Sequence, residues 1–291
     1  MKVSGFTFVR NAVKYDYPVV AAINSILPLC DEVIVSVGNS DDDTLALIQS
    51  IQSPKIKITH SVWDDSLKEG GRILAVETDK AFAHVSADAD WAFYIQADEV
   101  VHEKDYDTIR GAMQQYKDRP EVEGLLFNYT HFFGSYDYIG DSRTWYKNEI
   151  RVIRNDKKIS SYRDAQGFRK QGEKLHVKAI PADIYHYGWV KDPEAQARKL
   201  NNSFQLYHGR DEERMKKRVA IEQFDYGVVD SLAPFTGTHP ATMQPRINEK
   251  NWKFEHDISR KKFSFKDRLL YWVEKKTGKR LFDYRNYKII R

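Results

Sequence analysis

The stretch YIQADEVV, Tyr94 to Val101, runs out of an apolar segment into one amide and two carboxylates, Gln96, Asp98 and Glu99. Burying a carboxylate without a partner is costly, so a strand that stops in acids stops at a ligand or in water. On the first reading the strand behind holds the acids still while the loop presents them. On the second, Asp98 and Glu99 form a solvated turn, or cap and favour the dipole of a helix that starts near Glu103. A second chemical pattern is the segment FNYTHFFGSYDYIGDSRTWYKNEIRVIRN, dense in aromatic rings with Arg143, Arg151 and Arg154 among them. Aromatic faces stack on sugar C–H surfaces and arginines meet phosphates, although a strand pair covering a core has the same composition.

The elements that must position these residues follow from periodicity. VSGFTFVRN, DEVIVSVGN, KIKITHSVW and DWAFYIQAD read as strands; YPVVAAINSILPLC, DDDTLALIQSIQ and GRILAVETDKAFAHVSA read as helices between them. Apolar strands separated by helices imply a parallel sheet with right-handed crossovers, covered on both faces. Ligands of such sheets sit beyond the carboxyl ends of the strands. Phe8 to Asn11, Gly38 to Asp42, Trp63 to Asp65 and Gln96 to Glu99 all fall there.

Composition narrows the function classes. The 291 residues are 41% hydrophobic and 13% aromatic, which suits a packed globular chain. Cys30 is the single cysteine, so no intrachain disulfide or thiolate cluster is available and a reducing compartment is permitted. No leader-like start is present and no apolar run approaches the roughly 20 residues that span a bilayer. The expected location is cytoplasmic, with peripheral attachment at the inner face of a membrane. Residues 251–291 contain thirteen Lys or Arg against five Asp or Glu, a balance of +8 that leaves −4 for the remainder of the +4 total. SRKKFSFKDRLLYWVEKKTGKR interleaves those bases with Phe263, Phe265, Leu269, Leu270, Trp272 and Val273. That stripe suits an anionic membrane surface or a polyanion, or a terminal helix docked by its apolar face. Nucleic acid is not an expected partner, because the first 250 residues are net acidic and no recognition motif occurs. Neither GxxxxGK[ST] nor GxGxxG is present, which argues against a P-loop enzyme or a dinucleotide fold.

The order of strand, helix, strand ending in GNSDDDT, strand, helix containing GGRILA, and strand ending in QADE resembles the nucleotide-binding half of family 2 glycosyltransferases of the GT-A fold. In that family the second strand ends in a stretch like D-D-G-S-x-D-x-T and the fourth in a metal-holding D-x-D. Here Val37 and Gly38 replace the two leading acids, so base recognition does not carry over, whereas Ser40, Asp42 and Thr44 match. Gln96 replaces the first acid of the second motif and Asp98 matches the other. The resemblance covers about the first 135 residues.

It implies an α/β, Rossmann-like and mainly parallel sheet flanked by helices, with a basic helical C-terminal appendage. The expected division is a GT-A domain over 1–190, with a nucleotide-sugar half to about 100 and an acceptor half over 101–190, then the appendage over 191–291. The implied activity moves a sugar from a nucleoside-diphosphate donor to a glycan or lipid-linked acceptor in bacterial polysaccharide synthesis. A divalent Mn²⁺ or Mg²⁺ on oxygen ligands would stabilise the leaving diphosphate. Asp98 is the implied metal ligand, with Glu99 beside it and His186, in ADIYHYGWV, completing the shell; an imidazole favours manganese. His186 equally fits an aromatic cluster with Tyr185, Tyr187 and Trp189. Phe8, Arg10, Asn11, Ser40, Asp42, Arg72 and Gln96 are the donor-side candidates, and Tyr136, Trp145 and Arg151 the acceptor-side ones. For an inverting reaction the base is Asp164, in a Gly-containing loop, or Glu173, flanked by lysines. A nucleotidyltransferase and a non-catalytic glycan-binding protein on the same fold are the alternatives.

Overall fold

A computed structural model describes residues 1–290. Strands apolar on both faces need edge partners and helices above and below, and the first hundred residues supply both by alternation. β1 (Val3–Val9), α1 (Val19–Ile26), β2 (Glu32–Gly38), α2 (Thr44–Gln49), β3 (Ile56–Ser61), α3 (Arg72–Ala83) and β4 (Trp91–Tyr94) follow in the expected order. β1 lies between β2 and β4, and β3 flanks β2, all in parallel. Every residue of β2 and β4 is buried, which is why neither shows an alternating pattern in sequence. The fold is α/β with a Rossmann-like parallel half, and four strand ends open on one side.

After β4 the chain turns through residues 96–98 into the short β5 (Glu99–Val101); a 3₁₀ turn at Glu103–Asp105 then leads into α4 (Tyr106–Tyr116). The following segment is β6 (Gly124–Phe133), β7 (Ser135–Gly140) and β8 (Asn148–Arg154). β8 joins β4 in antiparallel fashion and β6 joins β8, so the aromatic segment extends the same sheet. A small separate sheet of β9 (Ile159–Ser161), β10 (Phe168–Lys170) and β11 (Glu173–Lys174) precedes the long β12 (His176–Trp189). β12 runs parallel to β6 and antiparallel to β5, and its register sets His186 beside both His131 and Glu99.

Residues 191–290, expected as a helical appendage, also return strands to this sheet. They form α5 (Pro193–His208), α6 (Glu212–Lys217), β13 (Leu232–Pro234), α7 (Gln244–Asn248), α8 (Phe265–Thr277) and β14 (Lys288–Ile289). β13 pairs with β7 and β14 with β12. α5 opens with Pro193 in its first turn and Asp192 accepting a bond from the Glu194 amide, the usual chemistry of a helix start. Leu206 near its end packs in a cluster with Trp63 and Ile73, so the helix lies along the strand-end opening.

α8 has two different faces. Ser264 caps it and Gly278, with φ of 67°, ends it. On the inner face Glu274 is buried and takes a 2.9 Å bond from Arg143, while Asp141 accepts from the Tyr271 hydroxyl at 2.6 Å and from Lys275 at 2.8 Å. On the outer face Phe265, Leu269 and Trp272 are 88%, 54% and 58% exposed; at i, i+4 and i+7 they form one apolar stripe. Among the described residues no helix is long and apolar enough to cross a membrane.

Candidate functional site

A cleft of about 450 Å³ opens at the carboxyl ends of β1 and β4, within the size range of small-molecule sites. Phe8, Arg10 and Asn11 come from the end of β1, Gln96 and Asp98 from the turn after β4, Glu149 and Arg151 from β8, and Asp164 from the loop before β10. Lys199 and Tyr207 of α5 close it from above. At one end Phe8 and Trp63 pack with ring centroids 5.8 Å apart, and the Arg10 guanidinium sits 5.4 Å from the Trp63 ring.

The turn that carries Asp98 is held by a buried ion pair. Arg151 and Glu99 are 1% and 0% exposed. The guanidinium donates Nε to Glu99 Oε2 at 2.7 Å and Nη2 to Oε1 at 2.5 Å. The Tyr129 hydroxyl adds a 2.5 Å bond to Oε1, and the Gln96 amide donates to Oε2 at 3.1 Å. Arg151 also lies between the Tyr94 and Tyr129 rings, 5.5 and 5.4 Å from their centroids. Glu99, expected beside Asp98 as a metal ligand, is therefore consumed: both its oxygens carry donors. Arg151, expected on the acceptor side, spends its fork on that carboxylate.

Asp98 is the acid turned to the cleft, only 8% exposed. Its Oδ2 accepts a 2.9 Å bond from Lys199 Nζ, which donates equally at 2.9 Å to the Gly188 carbonyl. His186 Nε2 faces the same oxygen at 3.7 Å. Burial alone would raise the Asp98 carboxyl, but the Lys199 ammonium and His186 hold it well below the usual carboxylate range. Behind, His186 Nδ1 is 3.2 Å from His131 Nδ1, and His131 Nε2 is 3.1 Å from the Tyr146 carbonyl. Since that carbonyl can only accept, His131 donates from Nε2 and accepts at Nδ1, and His186 donates from Nδ1. Gly188 makes the approach feasible: a Cβ there would stand 2.5 Å from His186 Nε2 and 2.7 Å from Asp98 Oδ2.

A divalent cation bridging Asp98 and His186 would sit about 2.0–2.2 Å from Oδ2, the oxygen that already carries the Lys199 ammonium. The Gly188 backbone bounds the space between the two side chains. Among the described residues no group of three or more His, Cys, Asp or Glu is arranged to hold a metal. The donor set is poor for Mn²⁺ or Mg²⁺, because its one available carboxylate already has a fixed cation.

Asp164, which also lines the cleft, sits between Arg163 and Ala165, whose φ angles are 56° and 62°. Left-handed backbone at two non-glycine residues is strained, and it turns the carboxylate to the Tyr207 hydroxyl, which donates to Oδ2. Gly71, at φ of 71°, permits the contact, since a Cβ there would lie 2.7 Å from Asp164 Cβ. Glu173, the other candidate base, is exposed on β11, with Lys288 3.8 Å away, and does not line the cleft.

Three donor-side candidates stand back from the cleft. Ser40 accepts from the Asn11 amide at 3.0 Å, Asp42 accepts from the Lys14 and Thr44 amides at 2.7 and 3.0 Å, and Arg72 lines a neighbouring depression with Asp79 and Arg163. These bonds shape the loop after β2, and its Asp41 reaches the cleft instead. Tyr136 is buried in an aromatic cluster with Tyr187 and Trp252, away from the cleft; Trp145 lines a separate cavity with His131 and Tyr146. Lys199, Glu149, His131 and Tyr207 were not expected in the site. Lys199 lies in the charged stretch 191–227, whereas Glu149 had a readable signal: Glu149 and Arg151, two apart in one strand, must point to the same face.

Glu149 is the second carboxylate on Arg151, 3.4 Å from its Nη1. Burial, with Glu99 and Asp164 adding to it against the opposing Arg151, pushes it up from 4.5 to about 8.

Comparison with known proteins gives no matching family model and no matching curated protein. Solved structures align with part of the chain. TarS from S. aureus aligns at TM-score 0.37 and 14% identity over 70% of this chain, which spans 39% of that one. TarS 1–349 with UDP gives 0.38 and 14% over 68% of this chain and 62% of that one. Glucosyl-3-phosphoglycerate synthase from Mycobacterium tuberculosis, with Mn²⁺, UDP and phosphoglyceric acid, gives 0.29 and 18% over 45% and 43%.

Two outcomes test this geometry. Arg151→Met leaves Glu99 charged and buried, so it should cost about 3–5 kcal/mol in chemical denaturation, and Arg151→Met/Glu99→Leu should recover much of that; a single variant as stable as wild type would show that the pair does not hold the turn. Glu149 keeps its proton in the folded state above the pH at which the unfolded chain releases it. Its contribution is complete below about 4.5 and is lost as pH rises through about 8. Glu149→Gln should flatten the decline of Tm across that window, and superimposable profiles for variant and wild type would rule the buried acid out.

Proposed function

We propose that this chain is a glycosyltransferase that moves a sugar from a nucleoside-diphosphate donor to a glycan or lipid-linked acceptor, and that it inverts the anomeric centre. The observation that carries the reading is the placing of two differently poised carboxylates, Asp98 on a cation and Asp164 on a hydroxyl, in the lining of one strand-end cleft. The Phe8 and Trp63 rings with Arg10 offer a stacking surface for a nucleobase. The diphosphate would then lie toward Asp98 and Lys199, with Gln96 in reach of the sugar.

The chemistry divides between these two groups. Asp164 takes the proton of the acceptor hydroxyl as its oxygen attacks the anomeric carbon, and the bond to the diphosphate breaks on the opposite face. The Tyr207 hydroxyl holds that carboxylate in place. Asp164→Asn keeps a side chain that can accept from Tyr207 but removes the base. Transfer from the preferred donor should fall about 100-fold or more, with donor affinity within about twofold of wild type by calorimetry. Transfer at the wild-type rate would remove Asp164 from the mechanism.

The outer face of α8 fits a peripheral role beside an anionic bilayer that carries a lipid-linked acceptor. Phe265, Leu269 and Trp272 would enter the interface while the surrounding Lys266, Arg268 and Lys276 meet the headgroups. Replacing the three apolar residues by Ser should reduce co-sedimentation with phosphatidylglycerol vesicles at low salt and leave Tm unchanged, since none of the three is buried. Equal sedimentation of both proteins would remove the membrane reading.

A further inference from the structure

We infer that the Lys199 ammonium is the resident cation of this cleft and binds the donor diphosphate in place of a divalent metal. The inference rests on the transferase reading above and deepens it.

An ammonium has three N–H donors. Two of those on Lys199 are spent at equal length, 2.9 Å to Asp98 Oδ2 and 2.9 Å to the Gly188 carbonyl. Asp98 and Lys199 both line the cleft, so the third donor is left for whatever fills it. The side chain is 15% exposed and its Nζ lies 5.2 Å from the Tyr17 ring centroid, so it is held in position before a ligand arrives. A preorganised cation needs no reorganisation as charge grows on a leaving group.

The surrounding charges agree with this assignment. Arg10, Lys14 and Lys68 line the cleft too, but as partners of Asp65, Asp41 and Asp65 nearer the mouth. Arg151 is committed to Glu99. Lys191, fully buried next to the site, donates to the Asp16 carbonyl and does not line the cleft. Asp98 thus acquires a different role from a metal ligand: it orients a fixed ammonium. A metal on Oδ2 would have to expel Lys199 from a buried carboxylate or sit beside it, and two cations about 3 Å apart repel strongly.

The test is calorimetric titration of the full chain with UDP, GDP and CDP, once in EDTA and once in Mn²⁺. The strongest binder should show the same affinity in both. Lys199→Met, which keeps the stem and removes the charge, should weaken that nucleoside diphosphate about 10- to 100-fold and leave the corresponding nucleoside within about twofold. Asp98→Asn, whose side-chain oxygen can still accept from Lys199, should bind the diphosphate in EDTA at least as tightly as wild type, because an anion next to the phosphates is gone; this variant decides the matter if Lys199→Met does not fold. Binding that requires Mn²⁺ and disappears in Asp98→Asn would overturn the inference and leave the transferase reading standing. No binding of any nucleoside diphosphate in either buffer would overturn both.

Discussion

A guanidinium and a carboxylate, both out of water, hold this molecule's working surface together. Arg151 lies on β8 and Glu99 opens β5 just beyond the strand-end turn, so their bidentate contact ties that turn to the antiparallel strands beside it. A bare charge at either position would be expensive, and the surrounding groups meet that demand in full: two tyrosine rings flank the cation, and a hydroxyl and an amide complete the anion. With Glu99 immobilised, its neighbour Asp98 has one direction left to face. The residue that looked like a spare ligand turns out to aim the other one.

That division of labour between adjacent acids explains how much of the site could be read in the sequence. The parallel half was legible because its information is local: Val33 to Val37 form a continuous apolar strand, and each strand end carries its polar residues within a few positions. That Asp98 and Asp164 line the cleft was legible for the same reason, as acids in turns. Glu99 and Asp98 are indistinguishable in sequence, since what separates them is a partner fifty residues away on β8. Tyr136 and Trp145 sit in a segment whose aromatic density suits a sugar-binding wall as well as a core, and contacts supplied by residues 224–254 decide for the core. Lys199 lies among charges that a sequence reading assigns to solvent; only the crossing of α5 over the strand ends brings it to Asp98.

The loop at Asp164 shows a related economy. Two non-glycine residues in left-handed backbone are tolerated because a glycine at the start of α3 removes the atom that would block the turn, while a tyrosine near the end of α5 binds the exposed carboxylate. The strain is thereby met by contacts from two helices, and Asp79 of α3 also holds the base of the loop by accepting from the Ser161 amide at 2.6 Å. Positions 71, 164 and 207 form one geometric unit, although the sequence separates them widely.

The pairing of β14 with the start of β12 bears on the order of events during synthesis. His176 and Val177 have Gly124 and its neighbours on one side, and among the described residues their other edge is covered by Lys288 to Ile290. On the ribosome, β12 and its parallel partner β6 emerge long before that cover exists. Until residues 288–289 leave the exit tunnel the nascent sheet presents unpaired amides and carbonyls, the kind of edge that recruits other strands. The margin carries His176 and Lys178, with Glu173 of the small sheet 3.8 Å from Lys288, charged and polar groups of the kind that discourage pairing with another chain.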